Sequence, residues 1–196
     1  MNFKKYYINE DKDPSDYPID NLIYAITELS KKNNLPTPTK ELDSGSDAIV
    51  FETNKDIVIR AEQIDEYEDM HSLKEILLHD DEIQETGGVA KSFGYFPMEI
   101  DNKQYLISYK EKVDQNFEKY LLNKYSVEDY KKIMHALHLY DFTDRKDFIN
   151  KINTLLKYKE TKKLAMAIKA GLPTGDLAPE SNLGITKKGY IVAFDC

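Results

Sequence analysis

The stretch Gly171-Leu-Pro-Thr-Gly-Asp176-Leu-Ala-Pro-Glu-Ser-Asn182-Leu-Gly-Ile-Thr-Lys-Lys-Gly189-Tyr-Ile-Val-Ala-Phe-Asp195-Cys196 decides the fold. Gly171 follows an apolar-periodic segment, 159–170, at the point where a helix end needs a residue that tolerates the left-handed conformation. A loop carrying Asp176 and Asn182 comes next. Leu183–Thr186 and Tyr190–Phe194 then read as two short strands joined by Lys187-Lys-Gly189. The expected order is helix, loop, hairpin, Asp195. Asp and Asn side chains commonly cap turns, and that plain role for Asp176 and Asn182 stands beside any chemical one.

Outward from this stretch, the spacing of apolar residues predicts helices over 114–123, 126–140, 144–157 and 159–170. Strands are expected at Val89–Met98 and Gln104–Ser108, with Asp101-Asn102 as their turn. Residues 65–85 read as a helix ended by Gly87-Gly88. Ahead of it, Glu41–Ser46, Ala48–Phe51 and Ile57–Arg60 form a meander of short strands. Leu22, Ile23, Ile26 and Leu29 fall on one face of a helix over 20–33, with Asp20 as its N-cap and Leu35-Pro-Thr-Pro38 as its stop. Residues 1–18 read as an extended arm. The order β-β-β-α-β-β, then helices, then hairpin, is α+β.

The order of elements and the quoted motifs resemble the protein-kinase-like fold. Asp176-x5-Asn182 is similar to the kinase catalytic loop, in which the Asp orients the acceptor hydroxyl and the Asn holds Mg²⁺. Asp195, at the end of the hairpin, resembles the Asp of the metal-binding DFG motif. The wording of 171–195 is similar to small kinase-like proteins encoded by bacteriophages. The resemblance covers about 39–195 by element order and 171–195 by motif. It implies an arm and helix over 1–38, and over 39–113 an N-terminal five-stranded sheet lobe with one helix. A truncated helical lobe over 114–196 ends in a β-hairpin. ATP and Mg²⁺ are the implied cofactors, with Asp176 as base and Asn182 and Asp195 as metal ligands. Gly45 would sit in the loop over the phosphates, Arg60 in place of the strand lysine, and Glu75 (or Glu68) as the helix partner of that cation.

The match departs from the pattern at several points. Ser44-Gly45-Ser46 has one glycine where the family has three, and read alone Asp43–Ser46 is an ordinary hairpin turn. Arg60 keeps the charge, but its planar fork is a poor substitute for a compact ammonium. An exposed strand arginine and a solvated acidic helix face are the plain alternatives for Arg60 and Glu75. Thr174-Gly175 replaces the usual His-Arg, and the sequence stops one residue after Asp195, without an activation segment. Positioning supplies most of phosphoryl-transfer catalysis. The expectation is therefore a non-catalytic structural or assembly role, such as a phage virion component, with a Mg-ATP-dependent phosphotransferase as the alternative.

Composition narrows the remaining classes. Among 196 residues, Lys and Arg number 27 against 35 Asp and Glu, a net charge of −8. That balance argues against general nucleic-acid binding, which needs clustered cations. One cysteine, Cys196, excludes a disulfide framework. The four histidines show no zinc spacing, and no Gly-x-Ser-x-Gly elbow is present. No apolar run is long enough to span a membrane. The expected setting is the host cytoplasm or a virion. Protein partners are expected to cover the arm and the truncated lobe, where Leu155, Leu164 and Ile168 form apolar faces with little cover of their own.

Overall fold

Alternation along four strands decides what lies inside the first half of the molecule. In β3 (Ala48–Thr53), β4 (Ile57–Ile64), β5 (Ser92–Ile100) and β6 (Lys103–Glu111) alternate positions, Ile49 and Phe51, Ile57, Ile59 and Ala61, Phe96, Met98 and Ile100, and Tyr105, Ile107 and Tyr109, are apolar and share one face. Phe51 pairs with Ile59, Ile59 with Tyr109, and Ala61 with Ile107, so a continuous apolar patch crosses the sheet. Against it lies α1 (Pro18–Asn33), whose Leu22, Ala25, Ile26 and Leu29 recur at helical spacing and are buried there. Burying each large side chain of this core contributes about 1.5–3 kcal/mol. Tyr109, fully buried, meets the Ser30 hydroxyl at 2.8 Å, and Ser30 donates to the Ile26 carbonyl. The phenol therefore donates to Ser30. Burial raises its pKa.

The computed structural model describes residues 5–6, 18–44, 48–64, 83–139, 141–174, 177 and 182–194. The chain divides into two units, Met1–Ser72 with Ser92–Glu111, and Leu73–Lys91 with Lys112–Cys196. In the first, β2 (Pro38–Ser44), β3, β4, β6 and β5 form a five-stranded antiparallel sheet. A two-residue strand, β1 (Lys5–Tyr6), adds to β5 in parallel and makes the order β1-β5-β6-β4-β3-β2. Asp101 and Asn102 both take positive φ (50° and 61°) in the β5–β6 turn, and Asn21 of α1 donates to Asp101 at 2.9 Å.

The second unit is built from α2 (Phe117–Lys124), α3 (Val127–Leu137), α4 (Arg145–Leu155), α5 (Lys162–Lys169) and the hairpin β7 (Leu183–Ile185) and β8 (Ile191–Ala193). Residues 83–86 form a helical turn. Side-chain caps start α3 and α4: Ser126 accepts from the Asp129 N–H and Asp144 from the Asp147 N–H. At the end of α5, Leu172 N–H bonds to the Ala167 carbonyl and Gly171 N–H to that of Ile168, with Gly171 at φ 114°. This double closure satisfies carbonyls that the helix leaves open. Gly88 passes so near α5 that a Cβ there would lie 2.3 Å from the Lys163 carbonyl oxygen. The hairpin has backbone neighbours beyond its own two strands. Asp114 exchanges two hydrogen bonds with Ile185, while Gly88 and Ala90 bond to Ala193, and Ile191 donates to the Glu160 carbonyl at 2.7 Å.

The α+β class and the five-stranded antiparallel sheet agree with the sequence reading, and several details are corrected. Lys5–Tyr6 forms a strand within the segment expected to be an extended arm, so the sheet gains a sixth member. The first helix starts at Pro18, whose missing N–H is no loss at that position, and Asp20 lies in its first turn rather than at its cap. That helix is stopped by Asn34 at φ 55°: Leu35 N–H reaches the Ser30 carbonyl and Asn34 N–H that of Lys31. Leu155, Leu164 and Ile168 are not uncovered faces but buried members of the second unit's own core. The helix expected over 65–85 lies almost wholly outside the described residues. Among the described residues no helix is long and apolar enough to cross a membrane.

Candidate functional site

The hairpin of the second unit fixes the part of the expected site that can be described. Its register pairs Leu183 with Ala193, Gly184 with Val192 and Ile185 with Ile191. The turn is closed by Thr186 N–H to the Tyr190 carbonyl (2.9 Å) and Gly189 N–H to the Thr186 carbonyl (2.8 Å). At the other end Phe194 N–H donates to the Asn182 carbonyl at 3.1 Å. All six strand residues are buried, so the core holds Asn182 and Phe194 side by side. Upstream, Leu177 is fully buried and donates its N–H to the Thr174 carbonyl. Asn182 is half-buried and directly precedes β7. Asp176 and Asp195, the two carboxylates of the expected constellation, lie outside the described residues.

Arg60 belongs to the first unit. Strand alternation turns it to the face opposite α1, where Val50, Arg60, Ser108 and Tyr95 are successive cross-strand neighbours on β3, β4, β6 and β5. Its guanidinium Nη1 donates to Glu62 Oε2 at 2.7 Å, two residues along the same strand and on the same face. The Arg60 side chain is 23% exposed and that of Glu62 39%, so this pair is partly shielded from water. Ser108 is buried beside it, and the Tyr95 hydroxyl is buried with no hydrogen-bond partner. Glu75 and Glu68, the expected partners of Arg60, and Gly45 lie outside the described residues. Glu62 was legible as a partner, because period 2 puts residues 60 and 62 on one face.

The strongest electrostatic cluster was not anticipated. Glu160, 1% exposed, accepts from Lys124 Nζ at 2.6 Å and from the Tyr125 hydroxyl. Burial pushes the Glu160 carboxyl upward, but the hydrogen bonds from Lys124 and Tyr125 outweigh it and hold the group below its ordinary value. Burial, then the bond to Glu160, pushes the Tyr125 phenol up to about 12. The hydrogen bond to Glu160 raises Lys124 in turn. Each partner stabilises the state that hydrogen-bonds to the other, so the cluster is a structural clamp between the end of α2 and the turn before α5. A buried cation, Lys151, donates to the His138 and Asp141 carbonyls past the end of α3.

Among the described residues, no group of three His, Cys, Asp or Glu side chains is placed to hold a metal ion. Of the residues implied for Mg-nucleotide, Asn182 and Arg60 are the ones described, and they belong to different units. No protein-family model matches the chain, and no curated protein matches its sequence.

Proposed function

We propose that this chain is a protein-kinase-like protein used as a non-catalytic component of a larger protein assembly, of the kind found in bacteriophage particles. The observation that carries this reading is the 2.7 Å pair between Arg60 and Glu62. A cation that grips a triphosphate must present its charge to it. Here a carboxylate sits on the same strand face, competes for the guanidinium and repels an incoming polyanion. The resemblance of 171–195 to the kinase motifs supports the fold half of the proposal. The deeply buried hairpin supports the structural half, since it makes that motif region part of the core.

A competing reading is a Mg-ATP-dependent phosphotransferase, with Asp176 as base and Asn182 and Asp195 as metal ligands. It is favoured by the Phe194–Asn182 hydrogen bond, which fixes the residue before Asp195 against one implied ligand. Thermal-shift titration with Mg-ATP separates the two. A nucleotide site at a hundredfold excess over its Kd adds about 2.7 kcal/mol, several degrees for a chain of this size. The assembly reading expects no rise that depends on Asp195, in the wild type or in Glu62→Gln. A rise that disappears in Asp195→Ala overturns it. Recovery of the chain in fixed copy number from purified particles would support it directly.

A further inference from the structure

The sequence Lys157-Tyr-Lys-Glu-Thr-Lys-Lys163 links α4 to α5 and places four lysines within seven residues of an acidic chain. All four line one open groove of about 520 Å³, with Met166 and Tyr190 forming its apolar surface. Lys157, Lys159 and Lys162 are exposed, and none of the four lysines forms an ion pair with a described residue. Glu160 is the sole acid in the run. It is turned inward, 1% exposed, and paired with Lys124. Lys163 is held in place, its ammonium 4.1 Å from the centre of the Tyr190 ring. The fold thus removes the one negative charge from a cationic rim and leaves like charges together, an arrangement that an anion relieves.

We propose that this groove is a binding site for a small phosphorylated molecule, one carrying at least two adjacent phosphate groups. Lysine ammoniums are compact point charges that recognise charge density rather than the planar geometry a guanidinium fork selects. A dense phosphate pair matches four such charges better than a single carboxylate does. Met166 and Tyr190 give a small apolar portion of the ligand a surface along the open groove. The net charge of −8 lies against a long polyanion, which the acidic remainder of the chain would repel. Neither Arg60 nor Asn182 lines this groove, and the proposed binding needs no metal.

The test is titration with inorganic tripolyphosphate in EDTA at low salt, followed by calorimetry. EDTA silences any Mg-dependent nucleotide site, so the outcome is independent of the reading proposed above. Saturable binding is expected that weakens as salt rises. Lys159→Gln combined with Lys162→Gln should weaken it at least about tenfold, about 1.4 kcal/mol. Both lysines are exposed, so the double variant should keep the wild-type melting temperature. Lys31→Gln, which alters a lysine paired with Glu28 in the first unit, should leave binding unchanged. Absence of binding, or equal loss in Lys31→Gln, overturns the proposal. So does equal competition by a short DNA duplex or a polyglutamate peptide, because the groove would then be a general polyanion contact.

Discussion

The two units bury polar groups of different kinds. Among the described residues, the sheet unit buries Ser30, Thr53 and Ser108, all neutral hydroxyls, whereas the helical unit buries Lys151 and Glu160 along with Thr161 and Thr186. An antiparallel sheet satisfies its own backbone along the ladder, so its interior needs only local hydroxyl partners. Short helices leave open groups at every end. Lys151 answers that need after α3, where it takes two carbonyls at once. Glu160 answers it between α4 and α5, fastening the end of α2 with its side chain and β8 with its backbone. One unit is held chiefly by apolar register, the other by apolar packing plus two placed charges.

The largest effect that would break this contrast is in the sheet. Phe51→Ala removes a fully buried ring and should cost about 3–5 kcal/mol. Hydrogen exchange should then rise across β3, β4, β6 and α1, with protection in α3–α5 retained. Equal loss in both units would show that they unfold together. Next, Lys151→Met should cost about 2–3 kcal/mol in urea denaturation, because it leaves the His138 and Asp141 carbonyls without their charged donor.

A smaller effect sharpens the comparison through pH. The folded carboxyl of Glu160 lies below its ordinary value of 4.5. The unfolded chain therefore takes up its proton first, and the stability this group contributes is complete above that value and lost as pH falls through the folded value. Tyr125 has the opposite sign: raised to about 12, it contributes stability that is complete below the ordinary tyrosine value near 10 and lost as pH rises toward 12. Glu160→Gln should flatten the acid limb for α2 and α5 while leaving the sheet unit's exchange unchanged. The smallest effect is Tyr109→Phe, about 1 kcal/mol from the lost bond to Ser30. It should be the same from neutral to mildly acid pH, since neither hydroxyl titrates there.

Much of the fold was legible because its signals are local. Alternation located β3 to β6, Asp101-Asn102 located a turn that needs two positive φ values, and Gly171 located a helix end. The two-residue β1 is too short to carry any period, and its pairing depends on where β5 lies. The interior roles of Lys151 and Glu160 were illegible for another reason: charged residues in a helical pattern are read as surface, and only tertiary structure supplies their partners. Leu155, Leu164 and Ile168 were legible as apolar, but not as covered by their own unit. For the expected site, the sequence showed residue types and spacing for Asn182 and Arg60. The Glu62 partner at i+2 is carried by strand period alone, whereas the resemblance points to a helix glutamate.

The backbone neighbours of the hairpin bear on whether its strands can pair with those of another chain. Leu183-Gly-Ile185 and Ile191-Val-Ala193 are short, apolar and uncharged, the composition that lets one chain add strands to another. Asp114 occupies the outer edge of β7, while residues 88–90 and the Glu160 carbonyl occupy that of β8. Both edges of this two-stranded sheet are thus taken up from within the same unit, which removes a template for edge-to-edge aggregation.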